Sequence, residues 1–157
     1  MNTTLIIATL VGVLEVFMLM FCGFRLVGFS PPSKQLLVGA TVTALFLRAV
    51  RQLLYTVLNA PFGTHMVLSL ITIFLVAHFW FKLPAMLAAI GVVIGDMILS
   101  LGTMLVSIML SDSAPTEPTA VFMLIALEEA PLIVATLIIW KTKFSIVPKR
   151  VSESLKG

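Results

Sequence analysis

Charge is scarce in this sequence. Asp, Glu, Lys and Arg make up 11% of its 157 residues, against 60% hydrophobic residues, whereas a soluble globular chain is about 25% charged and about half apolar. A chain of this length has too little interior to hide so much apolar surface from water. A soluble fold is therefore excluded, and the lipid bilayer is expected as the solvent for the outside of the molecule. The mean hydropathy of +1.16 agrees.

Cysteine is almost absent. Cys22 stands alone inside an apolar run, which excludes an internal disulfide framework and any CxxC or Cys/His metal spacing. Histidine is equally thin: His65 and His78 are 13 residues apart, so on one helix they lie ~20 Å apart and on nearly opposite sides. They cannot share a metal. His65 enters at a helix end and is a candidate site member, while His78 beside Trp80 and Lys82 reads as an interface anchor. No Ser/His/Asp or Cys/His arrangement supports nucleophilic hydrolysis. Neither an enzyme nor a cofactor is expected.

Basic residues are missing from two places where particular functions need them. Residues 1–14 contain no Lys or Arg, so the cationic start of a signal peptide is lacking; the apolar run continues past residue 20, and Phe21 before Cys22 is bulky for a lipoprotein cleavage site. The segment is expected to be a retained helix. The net charge is +3 and the pI about 9.4. The cations nevertheless lie in short loops and a tail, with no basic face interleaved with aromatics, so nucleic acid is not an expected partner.

Long apolar runs are abundant. Five segments have the ~20-residue length that spans a ~30 Å hydrocarbon core: Thr4–Phe24, Gln35–Val57, Gly63–Phe81, Pro84–Leu110 and Ala120–Trp140. Each must be a helix, because an isolated strand in lipid leaves its backbone groups unbonded. Breakers separate them: Ser30-Pro31-Pro32-Ser33, Asn59-Ala60-Pro61-Phe62-Gly63, the tight turn Lys82-Leu83-Pro84, and the polar stretch Ser111–Thr119 with Pro115 and Pro118. The expected fold is an all-α integral membrane protein, a bundle of five transmembrane helices over residues 1–140 with a short basic tail over 141–157. An odd number of spans disfavours an inverted-repeat transporter of two equal halves.

Orientation follows from Lys and Arg. Arg25, Lys34, Lys82, Lys141, Lys143, Lys149, Arg150 and Lys156 would share one side, and the opposite loops contain none. The N-terminus is expected outside and the C-terminus in the cytoplasm of a bacterial plasma membrane.

The remaining cations, Arg48 and Arg51, lie within the second span. Glu15, Asp96, Glu128 and Glu129 also fall inside spans, where an ionisable residue at a helix centre costs very roughly 2.5–3.5 kcal/mol unless paired or hydrated. Helical rise puts Glu15 and Asp96 about one residue from their helix centres, Arg48 and Glu128 about 3 Å toward the outside, and Arg51 about 7 Å. The period also aligns their faces. Thr41, Ala44, Arg48, Arg51 and Tyr55 form one stripe, and Ala8, Gly12, Glu15 and Cys22 another. Ala88, Gly91, Gly95 and Gly102 form a small-residue face, with Asp96 at its flank. It contains Gly91-Val-Val-Ile-Gly95, the spacing that lets helix backbones approach in lipid. Glu128 and Glu129 point ~100° apart and cannot act together on one bond. Pro131 removes a helical hydrogen bond nearby. Three readings fit these charges: an ion-pair network centred on Arg48, an outward-open polar cavity for a ligand or ion, and a proton or ion pathway.

Arg48-Ala-Val-Arg51 followed by Ala60-Pro61-Phe62-Gly63-Thr64-His65 resembles the multi-helix membrane sensor region of Firmicutes histidine kinases, over roughly residues 5–140. The resemblance implies five or six short-looped helices and a sensory role. In those kinases the last helix leads into a cytoplasmic kinase domain; here 17 residues follow Trp140, so no kinase activity is expected. A stand-alone sensor or regulatory module with an outward-facing polar site is the first expectation. It would signal through another membrane or cytoplasmic protein, or through self-association. A structural subunit of a membrane complex and a substrate-binding component of a small-solute transporter are the competitors.

Overall fold

The computed structural model describes residues 3–56, 64–109 and 118–147; within them the side chains of residues 3–5, Ala8, Tyr55, His65, Ser107, Met109 and 118–126 lie outside the description. The described residues form five helices: α1 Thr3–Leu26, α2 Ser33–Thr56, α3 Thr64–Leu75, α4 Ala85–Met109 and α5 Pro118–Thr142, with a π-helical turn at Val76–Trp80 after α3. There is no strand among them. By length and composition α1, α2 and α4 qualify to cross a membrane, while the apolar stretch Met66–Trp80 is shorter.

Prolines fix several helix starts. Pro118 opens α5, where its missing N–H costs nothing, and Pro32 and Pro84 stand just before α2 and α4, their carbonyls accepting from Leu36 N and Ala88 N at 3.0 and 2.9 Å. The end of α1 is a Schellman motif. Gly28 takes φ 79°, Phe29 N donates to Phe24 O at 2.8 Å and Gly28 N to Arg25 O at 3.0 Å. The apolar contact that accompanies this motif is the edge-on packing of Phe24 on Phe29, centroids 5.9 Å apart.

The third helix departs from a continuous α-helix to Phe81. Its last turn widens, so that Phe81 N reaches Val76 O and Leu83 N reaches Ala77 O, each at 3.2 Å. Lys82 reverses the chain at φ 54°. His78 closes the turn, its ring nitrogen Nδ1 donating to Leu83 O at 2.8 Å, with the ring stacked on Phe74. Its structural role is to hold the Lys82-Leu83-Pro84 reversal.

Within the bundle, α1 packs on α2, α4 and α5, while α3 bridges α2 and α4 and α4 packs on α5. Close approach of α1 and α4 depends on glycine. A Cβ on Gly23 would collide with the Gly91 carbonyl; one on Gly91 would meet Gly23 O at 3.1 Å, and one on Gly95 would meet Leu19 O at 2.9 Å. Gly102 likewise lies on the Glu128 carbonyl of α5. The small-residue face expected on the fourth span is therefore the face that touches α1 and α5, and Gly23 is its partner across the contact.

An aromatic cluster lies at one end. Phe24, Val27 and Leu83 are fully buried there, Phe81 packs edge-on to Phe24 with centroids 5.0 Å apart, and its ring lies against Gly39. At the same end the chain leaving α5 returns to α1: Leu26 O accepts from Ile146 N at 2.8 Å, Val147 N at 3.3 Å and Ser145 Oγ at 3.1 Å. Arg25, Lys34, Lys82, Lys141 and Lys143 thus belong to one end of the bundle, beside the exposed rings of Trp80, Trp140 and Phe144. Large apolar side chains such as Leu10, Met97 and Leu137 face outward along the helices. Threonine hydroxyls are satisfied locally: Thr41, Thr43, Thr56, Thr72, Thr136 and Thr142 each donate to the carbonyl four residues back.

Candidate functional site

Beyond the α1–α4 glycine contact, toward the N-terminal half of α1, the helices part around a cleft of about 590 Å³. Thr9, Gly12 and Glu15 reach it from α1, Arg48, Arg51 and Gln52 from α2, and Ser69 from α3. Asp96 and Thr103 complete the polar lining from α4, and Glu128 from α5; the remaining wall is aliphatic. Five of the seven charged or histidine residues expected at the site line one space. Glu129, turned ~100° from Glu128, is absent from the lining. The His65 side chain lies outside the described residues.

The contacts within the cleft differ from a network centred on Arg48. Arg48 Nη1 donates to Thr9 Oγ1 at 2.7 Å, and among the described residues neither arginine closes an ion pair with an acid. Glu128 Oε1 instead accepts from Thr103 Oγ1 at 2.9 Å, joining α4 to α5 above Gly102. Glu15 is half-buried and feels the charges of Arg51, Glu128 and Asp96 from around the cleft. The physical reason is geometric. The arginines project from α2, which packs on α1 and α3, while Asp96 and Glu128 stand on α4 and α5 across the open volume.

Behind the cleft, Glu129 carries a buried oxygen, Oε2, with no hydrogen-bond partner. Two turns further along α5, Thr136 meets Cys22, with Sγ and Oγ1 3.1 Å apart. The Thr136 hydroxyl hydrogen is committed to Leu132 O at 2.7 Å, so the Cys22 thiol is the donor. A buried polar atom without a partner costs about 1–3 kcal/mol. Glu129→Met is expected to raise the thermal midpoint in detergent by an amount corresponding to that range, since it removes the orphan oxygen at similar volume. A lowered midpoint would mean that the carboxyl has a structural partner.

Thr9, Gln52, Ser69 and Thr103 were not marked by sequence reasoning. For three of them the signal was available in the helical period: Thr9 lies three residues before Gly12, Gln52 four after Arg48, and Thr103 seven after Asp96. Gly12 is the open point of the wall, because a Cβ built there meets nothing within 4 Å. Comparisons with protein-family models, curated proteins and solved structures give no match for this chain.

Proposed function

We propose that this chain is a five-span, non-enzymatic sensor or regulatory module of a bacterial plasma membrane, with its N-terminus outside and its C-terminus cytoplasmic. It binds a small polar ligand in the cleft, which opens toward the outer face, and it passes the signal to a partner protein or a second copy. The observation that carries this reading is the set of Arg48, Arg51, Glu15, Asp96 and Glu128 lining one volume without closing an ion pair among the described residues. Charges kept only for cohesion would collapse onto one another, because in lipid an open charge is costly; charges held apart around a space of ligand size suit an occupant or water. Support for the orientation comes from the five described loop and tail cations gathered at the opposite end with Trp80 and Trp140, the arrangement of a cytoplasmic interface. The resemblance of Arg48–His65 to kinase sensor regions favours sensing over transport.

Site-directed thiol labelling in intact cells tests the topology and the opening together. In a Cys22→Ala background, Gly12→Cys is expected to react with a membrane-impermeant maleimide added outside, while Leu10→Cys, on the outward apolar face, stays unlabelled in hydrocarbon. Ser113→Cys, outside the described residues, reacts from outside, and Ser152→Cys, also outside them, only after permeabilisation. Protection of Gly12→Cys would reject an outward-open cleft. Labelling of Ser113→Cys and Ser152→Cys from the same side would reject the five-span topology.

A further inference from the structure

We infer that the occupant of the cleft is a small zwitterion, with an ammonium group toward Asp96 and Glu128 and a carboxylate or similar anion toward Arg48 and Arg51; this rests on the ligand-binding reading above. The charges lining the space are segregated by helix. Both guanidinium groups come from α2, and the carboxylates come from α1, α4 and α5. Since α2 packs against α1 and α3, the acids of α4 and α5 face it across the volume. A ligand bearing one sign of charge would satisfy one wall and leave the other open to a low-dielectric surround, where unopposed charge is most costly. A ligand bearing both signs completes charge-assisted hydrogen bonds at each wall.

Two further observations narrow the class. The acids do not converge as a metal site: among the described residues no group of three His, Cys, Asp or Glu side chains is arranged to hold a metal ion. A bare divalent cation would also leave both arginines facing a positive charge. The volume of about 590 Å³ exceeds that of a single inorganic ion and suits an organic molecule with separated termini. Thr9, Gln52, Ser69 and Thr103 add neutral polar groups to the lining.

The test uses three related dipeptide probes on the purified chain in detergent, followed by ligand-induced thermal shift and by titration calorimetry. Alanylalanine carries both charges, alanylalanine amide only the ammonium, and N-acetyl-alanylalanine only the carboxylate. The zwitterion is expected to bind at least about tenfold more tightly than either, the factor for one lost charge-assisted contact. Arg48→Met should erase its advantage over the amide but keep its advantage over the N-acetyl form. Asp96→Asn should do the reverse. Equal or tighter binding of either singly charged probe would overturn the zwitterion while leaving a ligand cleft in place. If no probe binds although Gly12→Cys is labelled from outside, the zwitterion fails and the open cleft stands. If no probe binds and Gly12→Cys is protected, both fail.

Discussion

Gly23→Leu is expected to break the α1–α4 contact and lower stability by about 3 kcal/mol, the upper part of the range for overpacking a close contact. At Gly23 the atom in the way is the Gly91 carbonyl oxygen, part of a helix backbone that cannot rotate aside as a side chain can. The sharper form of the test uses the smallest change. Alanine is a better helix former than glycine by ~1 kcal/mol, so Gly→Ala within a helix stabilises wherever the Cβ has room. At Gly12 it has room, since nothing lies within 4 Å, and at Gly23 it has none. Gly12→Ala should therefore raise the thermal midpoint in detergent and Gly23→Ala should lower it. Gly95→Leu belongs with the second, its Cβ falling 2.9 Å from Leu19 O. A raised midpoint for Gly23→Ala would refute the glycine-dependent approach of the two helices.

Arg48→Ala should cost about 1.5–3 kcal/mol, the range for a hydrogen bond to a charged group, and the pattern of its rescue should identify what the residue does. Had Arg48 been locked to one acid, its removal would strand that acid at ~3–5 kcal/mol, and neutralising the same acid alone would recover the loss. The structure gives Arg48 to Thr9 instead. Its charge then acts on the cleft as a whole, which holds two guanidinium groups and three carboxyl groups. Glu15→Gln, Asp96→Asn and Glu128→Gln, each combined with Arg48→Ala, should recover stability to similar extents. Rescue by one acid alone, read as thermal midpoints of the three double variants, would restore a direct ion pair and refute the open arrangement.

Much of the arrangement was legible because so apolar a sequence has few polar residues to place. The five helices, their breakers, the glycine face of α4 and the common depth of Glu15, Arg48, Asp96 and Glu128 all follow from apolar length and the helical period. Pro118 stood among the breakers that precede α5, whereas the Gly28 turn that ends α1 was not marked. What the period alone leaves undecided is how far apart two faces stand. Arg48 and the acids share a level, yet Arg48 bonds Thr9, because helix spacing is set elsewhere, at Gly23 on Gly91 and Gly102 on Glu128. The π-helical turn at Val76–Trp80 was illegible for a related reason. It depends on His78 reaching the carbonyl of Leu83 across a reversal, and no local pattern of apolar residues encodes that bond.

The carbonyl of Leu26 ties the end of α1 to the backbone that follows α5 through Ile146, Val147 and Ser145. Glu15 and Gly12, which line the cleft, stand on that same α1. A rigid rod anchored in this way works as a crank: if α1 slides or turns, residues 145–147 travel with it or three hydrogen bonds break together. The emerging tail therefore takes its position from the first helix as well as from the fifth, to which it is covalently joined, and a displacement at the cleft has a mechanical route to the far end of the bundle.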